Sequence, residues 1–180
     1  MMSRMSKSGS GVIPIEGAVT RRAVPDDASE VLVLQRCCWV DEAIANETLE
    51  ITALHESLED VRAWLSEWTT SCVRIAGRLV GAVRARREGS SWEIGRLMVA
   101  PDLAGRGLGR WLLRLAEEQA PADVESITLF TGAQSTRNIA MYERAGFARA
   151  PLPAPPGAVR LAKHLDPDRE VTGGERRRQR

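Results

Sequence analysis

Residues 99–113 run VAPDLAGRGLGRWLL: an apolar strand end at Val99, a proline at Pro101, three alternating glycines at Gly105, Gly107 and Gly109, then a run with helical spacing. A helix start presents orphan amides and the positive end of its dipole, and bare glycine backbone lets a phosphate come close to both. The turn therefore reads either as an anion cradle or as a place where a helix packs tightly on a sheet. Two familiar phosphate loops do not fit. A dinucleotide fingerprint needs a third glycine or alanine where this chain has Arg110, and a Walker loop needs Gly-Lys-Ser/Thr.

Outward from the loop, the elements alternate in type. SSWEIGRLMVA leads into it as a strand, and the pair CVRIAG and RLVGAVRAR before that strand reads as a hairpin turning through Gly77 and Arg78. Further upstream, GAVTRRAV is a first strand ended by Pro25. Asp26 and Asp27 offer an N-cap to ASEVLVLQRCCW, and Ser57 offers one to SLEDVRAWLSEW, whose Leu58, Val61, Leu65 and Trp68 form one stripe. Downstream, the helix Arg110–Gln119 turns Trp111, Leu112, Leu115 and Ala116 inward. SITLFT is a buried strand, RNIAMYERAG a helix stopped by Gly146, and Phe147 and AVRLAKHL begin and complete two last strands around the loop PLPAPPG. The order predicts a mixed α/β fold with a largely antiparallel front half and one parallel β-α-β crossing at its centre.

A chain of 180 residues with 43% hydrophobic and 27% charged content can bury one sizeable core. One domain over 17–165 is expected, between a flexible N-terminus, 1–16, and a disordered basic tail, 166–180. The N-terminal residues carry charge and serine without an apolar segment, and no apolar run reaches membrane-spanning length, so a cytoplasmic protein without membrane contact is expected. Cys37, Cys38 and Cys72 lack metal or disulfide-framework spacing and read as buried reduced thiols; no metal site is expected. The net charge of +1 hides an imbalance. From Arg74 to Arg114 nine arginines stand against three acids, whereas from Asp41 to Glu67 eight acids stand against Arg62, balances of +6 and −7.

Two motifs in order, VAPDLAGRGLGRWLL and NIAMYERAGF, resemble the GNAT superfamily of acyl-CoA-dependent N-acyltransferases over about Val19 to Leu165. The first is similar to the family's Val-x-Pro strand end followed by Arg/Gln-x-x-Gly-x-Gly/Ala, the second to its Tyr-x-x-x-Gly-Phe helix ending. One departure is that Ala104 stands where the family has Arg or Gln, leaving Arg106 or Arg110 to supply the charge. The resemblance implies a sheet splayed at the central crossing to hold acetyl-CoA as cosubstrate. It further implies that amides of Ala104, Gly105, Arg106, Gly107, Leu108, Gly109 and Arg110 hold the pyrophosphate. The main chain of Leu97, Met98 and Val99 would pair with the pantetheine arm, and the Val99 amide would donate to the thioester carbonyl.

A lysine-type amine of pKa about 10.4 is neutral at pH 7 only about once in 10^3.4, a cost of about 4.6 kcal/mol, so a proton acceptor is needed. The resemblance points to Glu93 as that base, and strand alternation puts Glu93, Gly95, Leu97 and Val99 on one face. The alternative for Glu93 is an ion pair with an arginine such as Arg84. By the same resemblance Tyr142, the only tyrosine in the chain, is the acid beside the departing thiolate, or else a packed helix residue. Asn138 lies on the same helical face and would hold the pantetheine, while Ser135 reads more simply as the helix N-cap.

In the family the helices after the first strand cover the acceptor. Their balance of −7 predicts a cationic amine such as a basic peptide, polyamine or aminoglycoside. Trp39, Trp64 and Trp68 stack on that acceptor or close the core, with core favoured for Trp64 and Trp68. A homodimer is common in the family. Two other functions stay open: a non-catalytic acyl-CoA-binding sensor or scaffold, and nucleic-acid binding through ERRRQR at the C-terminus. The near-neutral net charge argues against the second, and no nucleic-acid partner is expected.

Overall fold

The computed structural model describes residues 11–166. Seven strands form one sheet: β1 (Ala18–Arg22), β2 (Thr69–Ile75), β3 (Arg78–Glu88), β4 (Ser91–Val99), β5 (Ser126–Gly132), β6 (Ala148–Arg149) and β7 (Ala158–His164). Their order is β1-β2-β3-β4-β5-β7-β6, antiparallel everywhere except between β4 and β5. The helices are α1 (Ala28–Ala45), the single turn α2 (Thr52–His55), α3 (Leu58–Glu67), α4 (Leu108–Glu118) and α5 (Thr136–Arg144). This is the mixed α/β sheet expected, with α4 as its one crossing.

Local chemistry accounts for most of these elements. Ser57 accepts from the Asp60 amide and Asp60 reaches back to the Ser57 amide, a reciprocal cap that starts α3. The hairpin between β2 and β3 turns on Ala76 (φ 47°) and Gly77 (φ 86°), with Ile75 facing Arg78. The turn thus sits one residue earlier than Gly77 and Arg78, because both central residues of such a hairpin take positive φ. Asp27 stands at the N-cap position of α1, but its carboxylate bends back to the Val24 amide (2.8 Å) and pairs with Arg21 and Arg74, each at 2.7 Å.

Helix α4 buries Leu108, Trp111, Leu112, Leu115 and Ala116 against one face of the sheet. A Cβ on Gly81 would meet Leu108 and Leu112 at 3.2 Å, so the helix seats where β3 carries no side chain. The Trp92 indole donates to the Ala116 carbonyl at 2.8 Å, satisfying its one polar group inside the core. Helices α1 and α3 supply Val31, Leu34, Val61, Trp64 and Leu65, and Trp64 and Trp68 are core residues. Of the cysteines only Cys72 is fully buried; Cys38 is half-buried and Cys37 exposed.

Within the segment expected to be flexible, Ile13 and Ile15 pack against the core, and Trp111 donates to the Gly11 carbonyl at 3.3 Å. Residues 1–10 and 167–180, including ERRRQR and most of the tail expected to be disordered, lie outside the described residues.

Candidate active site

Strands β4 and β5 pair only at Ser91–Ser126, Trp92–Ile127 and Glu93–Thr128. Beyond Glu93, β4 continues beside β3 as far as Val99–Gly81, while β5 continues beside β7 as far as Gly132–Ala158. The two halves of the sheet part in a V, and one edge of each strand is left without a strand partner. A cavity of about 610 Å³ opens there, lined by the diverging strands, the end of α1, α5 and the loop around Pro155 and Pro156.

At the parting, β4 is bulged. Gly95 faces Arg84 and Met98 faces Ala82, so three steps on β4 match two on β3, with Arg96 held at φ 49°. The bulge breaks the alternation expected along this strand. Glu93 and Gly95 share the face of Arg84 and Arg86, where a Cβ on Gly95 would meet Trp68 at 3.4 Å. Leu97 and Val99 turn to the opposite face, each 3.8 Å from a Cβ built on Gly109 at the start of α4. The Ala100 amide donates across to the Val80 carbonyl of β3 at 2.8 Å, so the preceding Val99 amide points to the open edge. The Cys38 thiol donates to the Val99 carbonyl at 3.2 Å, and burial pushes that thiol up to about 12, which keeps it protonated.

The glycine loop is built for close approach. Gly105 (φ 81°) and Gly107 (φ 86°) take left-handed backbone that L side chains rarely adopt, and nothing lies within 4 Å of the space a Gly105 Cβ would fill. Gly107 is the N-cap of α4 and no side chain caps it, so the first-turn amides of Leu108, Gly109 and Arg110 lack helical partners. The Ala104 amide, expected in the same set, closes a turn onto the Pro101 carbonyl at 3.1 Å, so the donors begin at Gly105. Arg106 and Arg110 are both exposed beside the loop.

Glu93 and Tyr142 line the same cavity. Glu93 is buried and pairs with Arg86, its direct neighbour across the strands, at 3.2 Å, rather than with Arg84. Only Oε2 is engaged; Oε1 makes no hydrogen bond among the described residues. Tyr142 packs edge-on to Phe147, with ring centroids 6.1 Å apart, and its phenol is pushed well above the usual range by burial and then by the charge of Glu42.

Glu42, on α1, carries no motif that a sequence could betray. Its Oε1 accepts from the Gly132 amide at 2.9 Å and its Oε2 from Asn138 at 3.1 Å. Asn138, expected to hold the pantetheine, thus gives one of its two Nδ2 protons to Glu42. Ser135 stands at the N-cap of α5 without capping it; its hydroxyl accepts from Asn46 at 3.0 Å. Asn46 also takes the Gln134 amide at 3.0 Å, and a Cβ on Gly132 would collide with it. Together Glu42 and Asn46 tie the end of α1 to the open end of β5.

The family described as the acetyltransferase (GNAT) family matches residues 33–147. This chain belongs to it. It is 30% identical over 145 residues to UPF0157 protein YqkA of Bacillus subtilis, covering 80% of this chain and 41% of that protein. It is 36% identical over 78 residues to an IAA acetyltransferase of Azospirillum brasilense, covering 42% of this chain and 51% of that one. The match thus spans about half or less of each of these relatives. A crystal structure titled as the PaiA N-acetyltransferase of Thermoplasma acidophilum in complex with coenzyme A superposes with a TM-score of 0.70 at 14% identity, covering 82% of this chain and 99% of that one. That likeness shows a GNAT fold.

The far end of the GNAT cavity holds side chains that the two motifs do not contain. Arg84, Arg86, Arg96 and Trp39 line it, and the Arg96 guanidinium stands 5.3 Å from the Trp39 ring centre. Arg96 pairs with Glu56 at 2.7 Å. Among the described residues no helix is long and apolar enough to cross a membrane, and no group of three or more His, Cys, Asp or Glu could hold a metal ion.

Proposed function

We propose that residues 17–165 form an N-acetyltransferase that moves an acetyl group from acetyl-CoA to the primary amine of a small molecule or peptide. One observation carries this: beyond the point where β4 and β5 part, Leu97 and Val99 lie against the uncapped start of α4, and Glu93 and Tyr142 line the cavity in the V. The left-handed glycines, the unspent amides from Gly105 to Arg110 and the two exposed arginines fit a pyrophosphate. The free edge of β4 at Leu97–Val99 fits an amide-bearing arm.

Acetyl-CoA supplies the thioester. The amine nitrogen bonds the carbonyl carbon as the carbon–sulfur bond breaks; of the two protons the ammonium loses, one ends on sulfur and one in solvent. Glu93, through its free Oε1, takes the first, directly or through water. The Val99 amide, aimed at the open edge, donates to the carbonyl oxygen. Tyr142 stays protonated because its phenol is raised by burial, and it donates a hydrogen bond to the departing sulfur.

The charge of the acceptor is a separate matter. A cationic acceptor was expected from the −7 balance of residues 41–67, yet of those eight acids only Glu42 and Glu50 line the cavity. Glu56 is paired with Arg96, Asp60 caps α3, and Glu59 pairs with Arg62 on the surface.

The test is thiol release from acetyl-CoA with a panel of amines, for wild type and Tyr142→Phe. Amine-dependent release that falls roughly 100-fold in the variant supports the enzyme. Tight acetyl-CoA binding without release on any amine points instead to a sensing module.

A further inference from the structure

Arg84 projects from the centre of β3 into the acceptor end of the cavity, and it differs from its two neighbours in having no acid. Arg86 has Glu93 at 3.2 Å and Arg96 has Glu56 at 2.7 Å, whereas Arg84 forms no ion pair among the described residues. What surrounds it is aromatic: its guanidinium carbon stands 4.4 Å from the Trp64 ring centre and 4.2 Å from that of Trp68. Stacking occupies the face of a guanidinium and leaves its in-plane donors unspent. Two of those donors, Nε and Nη1, are buried without a hydrogen-bond partner among the described residues, on a side chain that lines the cavity.

A half-buried guanidinium with two buried, unpartnered donors and no counter-ion is unfavourable and rarely retained without a use. Burial, and then the neighbouring charge of Arg96, pull Arg84 down to about 9, so it is still cationic at neutral pH. Around it, three guanidiniums face the two carboxylates of Glu93 and Glu56, and one positive charge is left over. The other acids on the cavity wall do not pair with it: Glu42 accepts from the Gly132 amide and Asn138, and Glu50 is solvent-exposed.

We infer that Arg84 is the anchor for a carboxylate on the acceptor, so that the amine acetylated here belongs to an amino acid rather than to a polycation. The inference rests on the acetyltransferase reading for its chemistry, though not for its binding contact. An amino acid docked by its carboxylate at Arg84 brings its amine to the same wall as Glu93, since Arg84 and Gly95 are partners and Glu93 lies two residues along.

The test compares the standard L-amino acids with their methyl esters and with the amines left by decarboxylation, in two readouts. The first is calorimetric binding to the wild-type protein saturated with CoA, which needs no turnover. The best-bound amino acid should lose roughly 10- to 100-fold in affinity on esterification, the scale of one charge-assisted contact. The second is kcat/KM with acetyl-CoA for wild type and Arg84→Gln, where the preference for acid over ester should collapse. Esters or polyamines that bind and react as well as the acids would overturn the inference while leaving the acetyltransferase standing. Carboxylate-dependent binding without any acetyl transfer would keep the Arg84 subsite and remove the enzyme. Arg84→Gln stacks less well on the two indoles; should it fail to fold, the wild-type acid–ester comparison decides alone.

Discussion

The glycine loop and the cavity, which none of residues 104–110 lines, are made of different material. At the loop end the working groups are main-chain amides, exposed by glycines and aligned by one helix, and their geometry is complete within a dozen consecutive residues. At the acceptor end they are side chains drawn from α1, β3, β4 and α5: Glu42, Arg84, Glu93 and Tyr142, up to 100 positions apart in the chain. A backbone cradle is local and tolerant of its surroundings. A side-chain site exists only once the sheet register, the bulge and the helix docking are all in place.

If the ends are separable in this way, substitutions should split their effects. The largest split is expected for Glu93→Gln, which removes the proposed proton acceptor and leaves the loop untouched. Its kcat should fall by about 10^2 to 10^4 while acetyl-CoA affinity, read by calorimetry, stays near that of wild type. An unchanged kcat would make Glu93 an ion-pair residue for Arg86, and would favour an α-amine acceptor of pKa about 7.7 to 8.0 that needs little help from a base.

The converse change is Gly107→Val. A β-branched residue at φ 86° is strained and would carry its side chain into the amide cradle. Acetyl-CoA dissociation should rise roughly 10- to 100-fold, with kcat at saturating cosubstrate largely kept. A large loss of kcat as well would mean that the two ends are coupled.

The smallest effect on catalysis belongs to Asp27→Asn, outside both ends. The Arg21 guanidinium, opposed by burial and aided by the Val24 amide and Arg74, holds the Asp27 carboxyl well below the usual carboxylate range. A folded value depressed below the unfolded one of about 3.9 stabilises the fold above that pH and loses the contribution as pH falls through it. The variant should therefore unfold about 2 kcal/mol more easily at pH 7, the gap narrowing below about pH 4, with kcat/KM within about twofold at 25 °C. Thermal unfolding of both proteins across pH 2.5–7 measures it.

Legibility in the sequence follows the same division. The glycine turn, the cap at Ser57, the apolar stripe of α4 and the succession of elements along the chain all depend on neighbours within a few residues, and each appears where expected. Alternation along β4 failed at Arg96, because a bulge is a property of two paired strands and leaves no mark on one of them. Glu93 is singled out by the family resemblance, with Arg84 named as an example of a partner; that Arg86 lies opposite instead depends on the register of β3. Glu42, Asn46 and Arg84 sit in no motif, and their significance arises from contacts with residues far along the chain. The charge of residues 41–67 is a weak guide to the acceptor for a related reason. A segment sum says nothing of which carboxylates are spent on caps and ion pairs before any ligand arrives.

Local backbone preference and hydrophobic period, both short-range, were enough to establish a mixed α/β sheet with one helix crossing and a glycine cradle at its start. Where β4 and β5 part, which face Glu93 shares with Arg84, and that one stacked guanidinium is left without a counter-ion were decided only by tertiary structure. Each depends on strand register and on burial, and those are set by the packing of the whole core at once.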